Sequence, residues 1–479
     1  MNISKDIARA DGLAPELCGL TEELVDTWQR HLKTNQLRDA YYNSDNPLKD
    51  LGVSVSAQMK KKLQPHIDWA AKCVNWWADH VQFTGFVAKD EILQGQIDKL
   101  CKLNDIDNLV QKVVQSSLRH SVAFITVTKG NQAWQEPDVV LSGYPATAAS
   151  AIYSNAKKRI EAGLVVVDTK YSKSKRKNVP TLMYLFDDET VTVLTLVQGR
   201  WVAQTTPHNM GRVPMEHLSY HATLERPFGS SRISRTVMSL VDDAQRELMN
   251  MSACAAFSAA PQKFILGADP ELAKKLAETP FGAYVGSLAI ITPNKQNQTP
   301  QMGQLPQLQM QPHADYIRIL AALFSDATNV PLSSLGFSGA NPTSAEALIA
   351  SQEDAIVDIN NYISAAKRTL SNVAIMAAAQ LNNTSYQQAA KGYDIACTFA
   401  NPATPSVVSV TNAAVQKVGA FPWMAQSDVL LRDMGYKGET LEELRDDRRK
   451  FEAQQLMMQT VASQARDRPN DTSDDTPEE

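Results

Sequence analysis

Cysteine is scarce in this chain: five residues among 479, at Cys18, Cys73, Cys101, Cys254 and Cys397. They are scattered, odd in number and form no CxxC. That excludes a disulfide scaffold and zinc knuckles, and it predicts free thiols in a reducing compartment. Long hydrophobic runs are also missing. No stretch of about 18 apolar residues occurs, so no membrane span is expected. The opening MNISKDIARADG has no apolar segment, and no signal peptide is expected there. The chain is therefore expected to be cytosolic when made. An excess of positive charge is lacking too. Lys and Arg number 47 against 52 Asp and Glu, the net charge is -5 and the pI ≈ 6.0. That balance argues against a broad basic face that grips nucleic acid.

Catalytic signatures are absent as well. There is no P-loop, GxGxxG or HExxH. Gly336-Phe337-Ser338-Gly339 falls short of a nucleophile elbow because position 340 is Ala and no strand precedes it. His217 and His221 are four apart, but VPMEHLSYH reads as extended, so they do not converge as helical metal ligands would. Asn250-Met251-Ser252 matches a glycosylation sequon that means nothing without a secretory signal. No catalytic residue, metal or cofactor is expected, and the chain is not read as an enzyme.

What remains is an ordinary globular composition, 43% hydrophobic and 21% charged. The length suggests about three domains' worth of chain. Residues 1–120 read as mostly helical, with helices over Leu20–Leu32 and Pro65–Val81. Trp69, Trp76 and Trp77 are expected to fill a core or a subunit contact, and Lys60-Lys61-Lys62 to be a solvated face. Over 121–220 the period becomes two. Val122–Thr128 and Val139–Ser142 read as strands, followed by a meander of Gly163–Thr169, Pro180–Phe186, Thr190–Val197 and Trp201–Thr206. Lys170, Lys173, Lys175, Arg176 and Lys177 mark its first turn as a solvated hairpin tip, since no aromatic residues interleave with them.

Two long helices follow. Ile233–Ala260 carries Ile233, Val237, Leu240, Ala244, Leu248, Met251 and Ala255 at spacings of three and four, which makes one stripe. Asp242 and Arg246 are expected to pair on its other side. Pro261 ends it. His313–Thr328 places Ile317, Leu320, Ala321 and Phe324 on one side. Between them lie a short helix (Pro270–Glu278), a strand-like run (Ser287–Thr292) and a Gln/Pro-rich run that can only be extended or looped. The pattern reads as an antiparallel stalk carrying a knob. Pro331 stops the second helix, and Leu335–Pro342 is a loop. Thr343-Ser344-Ala345-Glu346 is a capping box for a helix running to Leu381, with Ile356, Ile359, Ile363, Ala366, Leu370 and Val373 apolar. From Asn401 the chain is helical again, strongly so over Thr440–Gln464. The tail from Arg466 has two basic and six acidic residues and is expected to be disordered.

An ordered set of pieces resembles the portal proteins of tailed bacteriophages. They are Gly211-Arg212-Val213-Pro214, then Arg226-Pro227-Phe228-Gly229-Ser230-Ser231-Arg232-Ile233, the long helix, and Ala260-Pro261-Gln262-Lys263 with Gly267. Asn329-Val330-Pro331, Leu335-Gly336 and Asn341-Pro342-Thr343-Ser344-Ala345-Glu346-Ala347 follow, and Tyr41-Tyr42-Asn43 through Gly85-Phe86 is similar too. The resemblance covers roughly 40 to 400. It implies an α+β, mostly helical fold with a β-rich wing (1–230 and 329–400), a two-helix stem (231–260 and 311–328), a small α/β clip (261–310) and a helical crown (401–465), ahead of the acidic tail (466–479). It implies a ring, usually of twelve subunits, at one capsid vertex, through which double-stranded DNA enters during packaging and leaves during ejection. The implied partners are other copies of the chain, the terminase large subunit, a head–tail adaptor, and the major capsid and scaffold proteins; DNA would pass non-specifically. The implied location is the virion, and the host cytoplasm during assembly. The tunnel loop would be Gly336, Phe337, Ser338, Gly339, Ala340 and Asn341. Glu271, Lys274, Lys275 and Glu278 are the positional candidates for docking in the clip.

Charge supports a sliding contact. From Ile319 through Ala366 there is no Lys or Arg, only Asp326, Glu346, Glu353, Asp354 and Asp358. Glu346, Glu353 and Asp354 would flank the loop. Cations on phosphate release counterions and add affinity; an uncharged tip between acids lets DNA move. The bland alternative is a charge-poor stretch buried in a subunit interface. Two rival functions remain: another head–tail connector or minor capsid protein, and a nucleic-acid-processing enzyme. The first is commonly shorter and lacks the two long helices. The second needs clustered acidic metal ligands.

Overall fold

The computed structural model describes residues 3–46, 65–173, 177–259, 263–266, 301–304, 309–337, 352–403, 407–434, 436 and 438–466. Helices and strands are mixed, as an α+β chain requires. Helices α1 (Ile3–Ile7) and α2 (Pro15–Tyr42) open the chain, and α2 contains the expected Leu20–Leu32 segment. Pro15 at the first helical position loses nothing there, because its missing N–H would have no partner in any case. The tryptophan segment is α3 (Trp69–His80), with Trp69 and Trp77 buried. Helices α4 (Glu91–Asn104) and α5 (Ile106–His120) follow strand β1 (Phe83–Ala88).

The strands form two main sheets. β2 (Val122–Lys129) lies between β3 (Val139–Pro145) and β9 (Met215–Ser219). The expected meander is a five-stranded sheet in chain order: β4 (Ala149–Ser154), β5 (Arg159–Ser172), β6 (Lys177–Phe186), β7 (Thr190–Val197) and β8 (Arg200–Pro207). Its faces follow the two-residue period. Leu164, Val166, Met183, Leu185 and Leu194 pack on α1 and α2 with Leu24, Val25 and Trp28. Val165, Ile160 and Phe186 face the other way, against Phe124, Val213 and Met215. β5 and β6 pair as far as Ser172 and Lys177, while Lys175 and Arg176 of the basic turn lie outside the described residues.

Both long helices of the expected stalk are present. Helix α6 (Arg235–Ala259) and α7 (Gln311–Thr328) run antiparallel: Arg232, just before α6, meets Thr328, and Glu247 farther along meets His313. Strands β10 (Lys263–Leu266) and β11 (Gln301–Gln304) pair across the excursion, so the Gln/Pro run is extended there. The predicted pieces Pro270–Glu278, Ser287–Thr292, the capping box at Thr343–Glu346 and the tail beyond Arg466 lie outside the described residues.

One sequence expectation fails on α6. Arg246 pairs with Asp243, not Asp242. Asp242 is buried, and Tyr41 donates its hydroxyl to both of its oxygens at 2.9 Å. Asn46 also donates to Asp242, and it bonds Gln245 one turn on. Helix α2 thus claims a face that spacing alone assigned to solvent. The buried row accordingly shifts to Val237, Val241, Ala244 and Met249, leaving Leu240 and Leu248 half-buried.

Helix α8 (Glu353–Leu381) is one unbroken run of 29 residues, with Ile359, Ile363, Ala366, Leu370 and Val373 buried. Helix α9 (Tyr386–Gly392) has a complete capping box at Ser385 and Gln388. β12 (Ile395–Phe399) then returns to pair with β1, some 310 residues earlier in the chain, and the two form a sheet of their own beside α4. Helices α10 (Val407–Ala420), α11 (Asp428–Asp433) and α12 (Gly438–Arg466) complete the chain. Arg445 and Arg448 of α12 both reach Asp428. Among the described residues no helix is long and apolar enough to cross a membrane.

Candidate functional site

The candidate loop starts from a fixed base. Helix α7 ends at Thr328, and Asn329 takes a left-handed conformation with φ of 52°. Ser325 donates to Val330 O at 2.7 Å, and the Val330 side chain is fully buried. Leu332–Leu335 then makes a single tight turn, closed by Gly336 at φ 89°, a conformation that favours glycine. Phe337 N donates back to Leu332 O at 3.3 Å. Its ring meets the edge of Trp69 at 6.5 Å, and Trp69 in turn packs on Phe324 at 5.3 Å. Of the six loop residues, Gly336 and Phe337 are therefore described, and Phe337 is a half-buried anchor. Ser338, Gly339, Ala340 and Asn341 lie outside the described residues, as do Glu346 and the clip candidates Glu271, Lys274, Lys275 and Glu278.

On the far side of the loop, Glu353 and Asp354 are exposed in the first turn of α8. Acids there are favoured by the helix dipole whatever they face. Asp326 is exposed on α7, and Asp358 lies 3.9 Å from His221. His217 and His221 have separate surroundings. His217 sits among the rings of Tyr153 and Phe228, whereas His221 stacks on Tyr220. Burial, aided by Arg368 and Arg212, lowers the His217 pKa to about 4. Its Nδ1 has no hydrogen-bond partner.

The RPFGSSRI run explains itself as the joint on which the stalk stands. Gly229 has φ of 68°, and a Cβ there would lie 2.1 Å from Tyr220 O. Ser230 N donates to that same oxygen at 2.8 Å. Ser231 donates to Arg119 O and accepts from Ile233 N, which carries the chain into α6. Arg232 is buried. Its Nε donates to Cys73 O at 2.7 Å, one Nη to Tyr220 OH at 2.9 Å and the other to Thr328 O. Its guanidinium lies 3.7 Å from the Trp77 ring centroid. Burial lowers its affinity for the proton, but ring faces and carbonyl dipoles offset the loss of water. One side chain thus joins α3, the end of α7 and the start of α6. The GRVP run is a second joint. Buried Arg212 pairs with Glu216 and stacks 4.5 Å over Tyr386, and Asn372 of α8 donates to the same carboxylate.

Sequence reading marked Arg232 and Arg212 as parts of a resemblance and missed what they do. The available signal was slight: each arginine follows closely on a glycine, Gly229 or Gly211, and Arg212 has Glu216 four residues on.

No family model matches the chain. Two curated relatives do. It is 22% identical over 443 residues to the portal protein of Mycobacterium phage L5, covering 88% of this chain and 87% of that one. The same figures hold for the portal protein of Mycobacterium phage D29. The chain is similar to phage portal proteins over most of its length. Among solved structures, a chain from the neck of a native GTA particle, computed with C12 symmetry, matches at a TM-score of 0.45 and 12% identity, over 83% of this chain and 98% of that one. The similarity to the two curated portal proteins is longer than the 40–400 span that the motifs cover, and the chain's own mixed helices and strands agree with the α+β fold the resemblance implied.

Proposed function

We propose that the chain is a portal subunit that closes into a ring, of about twelve copies, at one capsid vertex. The ring would pass double-stranded DNA inward during packaging and outward during ejection, and it would give terminase and a head–tail adaptor a surface to dock on. The wing, stem, clip and crown would take the boundaries given by the resemblance, with capsid and scaffold proteins as the remaining partners.

The observation that carries this reading is on α7. Its inner row, Ile317, Leu320, Ala321 and Phe324, is buried within the chain. A second row, Tyr316, Ile319 and Leu323, is 44%, 56% and 52% exposed. Three large apolar residues at spacings of three and four make a continuous outer stripe, and such a stripe marks a contact surface. A neighbouring copy in a ring would cover it. The exposed acids Asp326, Glu353 and Asp354, in a stretch without Lys or Arg, support a channel that does not hold phosphate.

Particle mass tests the ring: the expected species is about twelve times 52.7 kDa, seen as an annulus in negative stain. A monomer at high concentration under every condition overturns the proposal. The loop has its own test. Ser338→Arg with Ala340→Arg should slow DNA packaging or ejection while leaving ring assembly intact; unchanged translocation removes the loop as a DNA contact.

A further inference from the structure

Glu247 and Cys254 are seven residues apart on α6, so they lie on one side of it two turns from each other. His313, in the first turn of α7, reaches both. Its Nδ1 is 2.5 Å from Glu247 Oε1, and its Nε2 is 3.4 Å from Cys254 Sγ. The carboxylate can only accept, so Nδ1 carries the proton and Nε2 is left as the acceptor for the thiol. Asn250 donates to the other oxygen of Glu247 at 3.4 Å, which steadies the carboxylate. Glu247 is buried, while His313 and Cys254 are half-buried. The charged neighbours on the two helices are already engaged: Arg246 with Asp243, and Asp315 with Arg318 and Gln311. Thiol, imidazole and carboxylate in line, with the imidazole oriented by the acid, are the arrangement of an activated nucleophile. The sulfur also lies beside the first turn of α7, where the helix dipole favours negative charge.

We propose that Cys254 is a reactive thiol, a site at which soft carbon electrophiles modify the stalk covalently. As the sulfur bonds the electrophilic carbon, the S–H proton passes to His313 Nε2, and the leaving group departs with the bonding pair. Glu247 stays ionised and holds the imidazolium in place. With iodoacetamide an S–C bond forms, a C–I bond breaks and iodide leaves. This inference is independent of ring assembly.

The other four cysteines are internal controls. Cys73 and Cys397 are buried, and burial pushes the Cys73 thiol up to about 11. Burial likewise pushes Cys101 up to about 12. Cys18 is half-buried as Cys254 is, but its sulfur donates to Ala14 O and meets no imidazole.

Iodoacetamide labelling of the full chain, resolved by peptide mass spectrometry, tests the idea. The rate of each cysteine in the urea-unfolded chain provides its unassisted reference. Native Cys254 should label about ten times faster than native Cys18 and faster than its own unfolded reference at pH 7. His313→Gln and Glu247→Gln should each lower its rate about tenfold at pH 7, measured well below the melting midpoint of each variant so that the chain remains folded. That gap should close near pH 10, where an ordinary thiol of pKa about 8.5 ionises unaided. A structural loss would persist at both pH values. Native labelling of Cys254 no faster than its unfolded reference, or a His313→Gln rate equal to wild type at pH 7, overturns the proposal.

Discussion

The base of the α6–α7 pair and its outer face differ in how they are closed. At the base, Arg232 gives its donors to Cys73 O, Tyr220 OH and Thr328 O and stacks on Trp77, all within one chain. On the outer face, Tyr316, Ile319 and Leu323 stand in a row, each about half exposed. The joint is complete in the monomer and the face is not. The contrast gives the ring proposed above a definite test, because the base and the face can be broken separately.

Breaking the base should have the largest effect. Arg232→Met leaves three acceptors without their donor inside the protein, and about 3 kcal/mol of stability should be lost. Urea unfolding reads this as a lower midpoint with unchanged slope. Arg232→Lys should recover only part of it, because an ammonium cannot supply the fork and the ring contact together. A wild-type midpoint for Arg232→Met would mean that the base is not the closed end of the pair.

His217 gives the body a pH signature that the outer face should lack. Its folded-state pKa is depressed to about 4 by burial first and by Arg368 and Arg212 second. The unfolded chain therefore binds a proton below pH 6.5 that the folded one refuses. The stabilisation is fully present above pH 6.5 and is lost as pH falls towards 4, by at most about 3 kcal/mol. His217→Gln should flatten the dependence of unfolding free energy on pH across that window. His31 and His208, both lowered by burial, and Asp39, held low by His120 and Arg119, are the same in both proteins and cancel in the comparison. Equal slopes would remove His217 as the source.

A smaller effect is expected where α2 meets α6. Tyr41→Phe deletes a hydroxyl that donates to Asp242, which keeps Asn46, and should cost about 1 kcal/mol by thermal or urea unfolding.

The same contrast explains what the sequence disclosed. The stalk helices were legible because their stripes repeat locally, and Ile317, Leu320, Ala321 and Phe324 are buried as the spacing required. The meander was legible because its strands alternate and adjoin, although β4 was missed: Ala149–Ser154 is short, and four of its six residues are Ala or Ser. Pairing at long range left no local trace. β1 with β12, Tyr41 with Asp242 and Arg232 with Thr328 each depend on partners brought together by the fold. The i, i+4 rule misplaced the Arg246 partner for that reason: a few tenths of a kcal/mol of helix-surface pairing is outweighed by burial against another helix. Of the candidate loop, only the end at Gly336 and Phe337 is described; Phe337 was expected only as one of six tunnel-loop residues, and no local pattern signals its contact with Trp69.

The outer face should give the smallest change in folding and the sharpest change in assembly. Ile319 and Leu323 touch little within the monomer, so Ile319→Glu with Leu323→Glu should alter monomer unfolding by no more than about 0.5 kcal/mol. If neighbouring copies cover this row, each interface must then bury two uncompensated carboxylates, and that cost recurs at every contact around the ring. Native mass spectrometry should find a folded monomer where the wild-type chain gives large particles. Rings that still form would place the subunit contact elsewhere on the chain. An unfolded double variant would mean that the row is covered from within, and the distinction between base and face would fall with it.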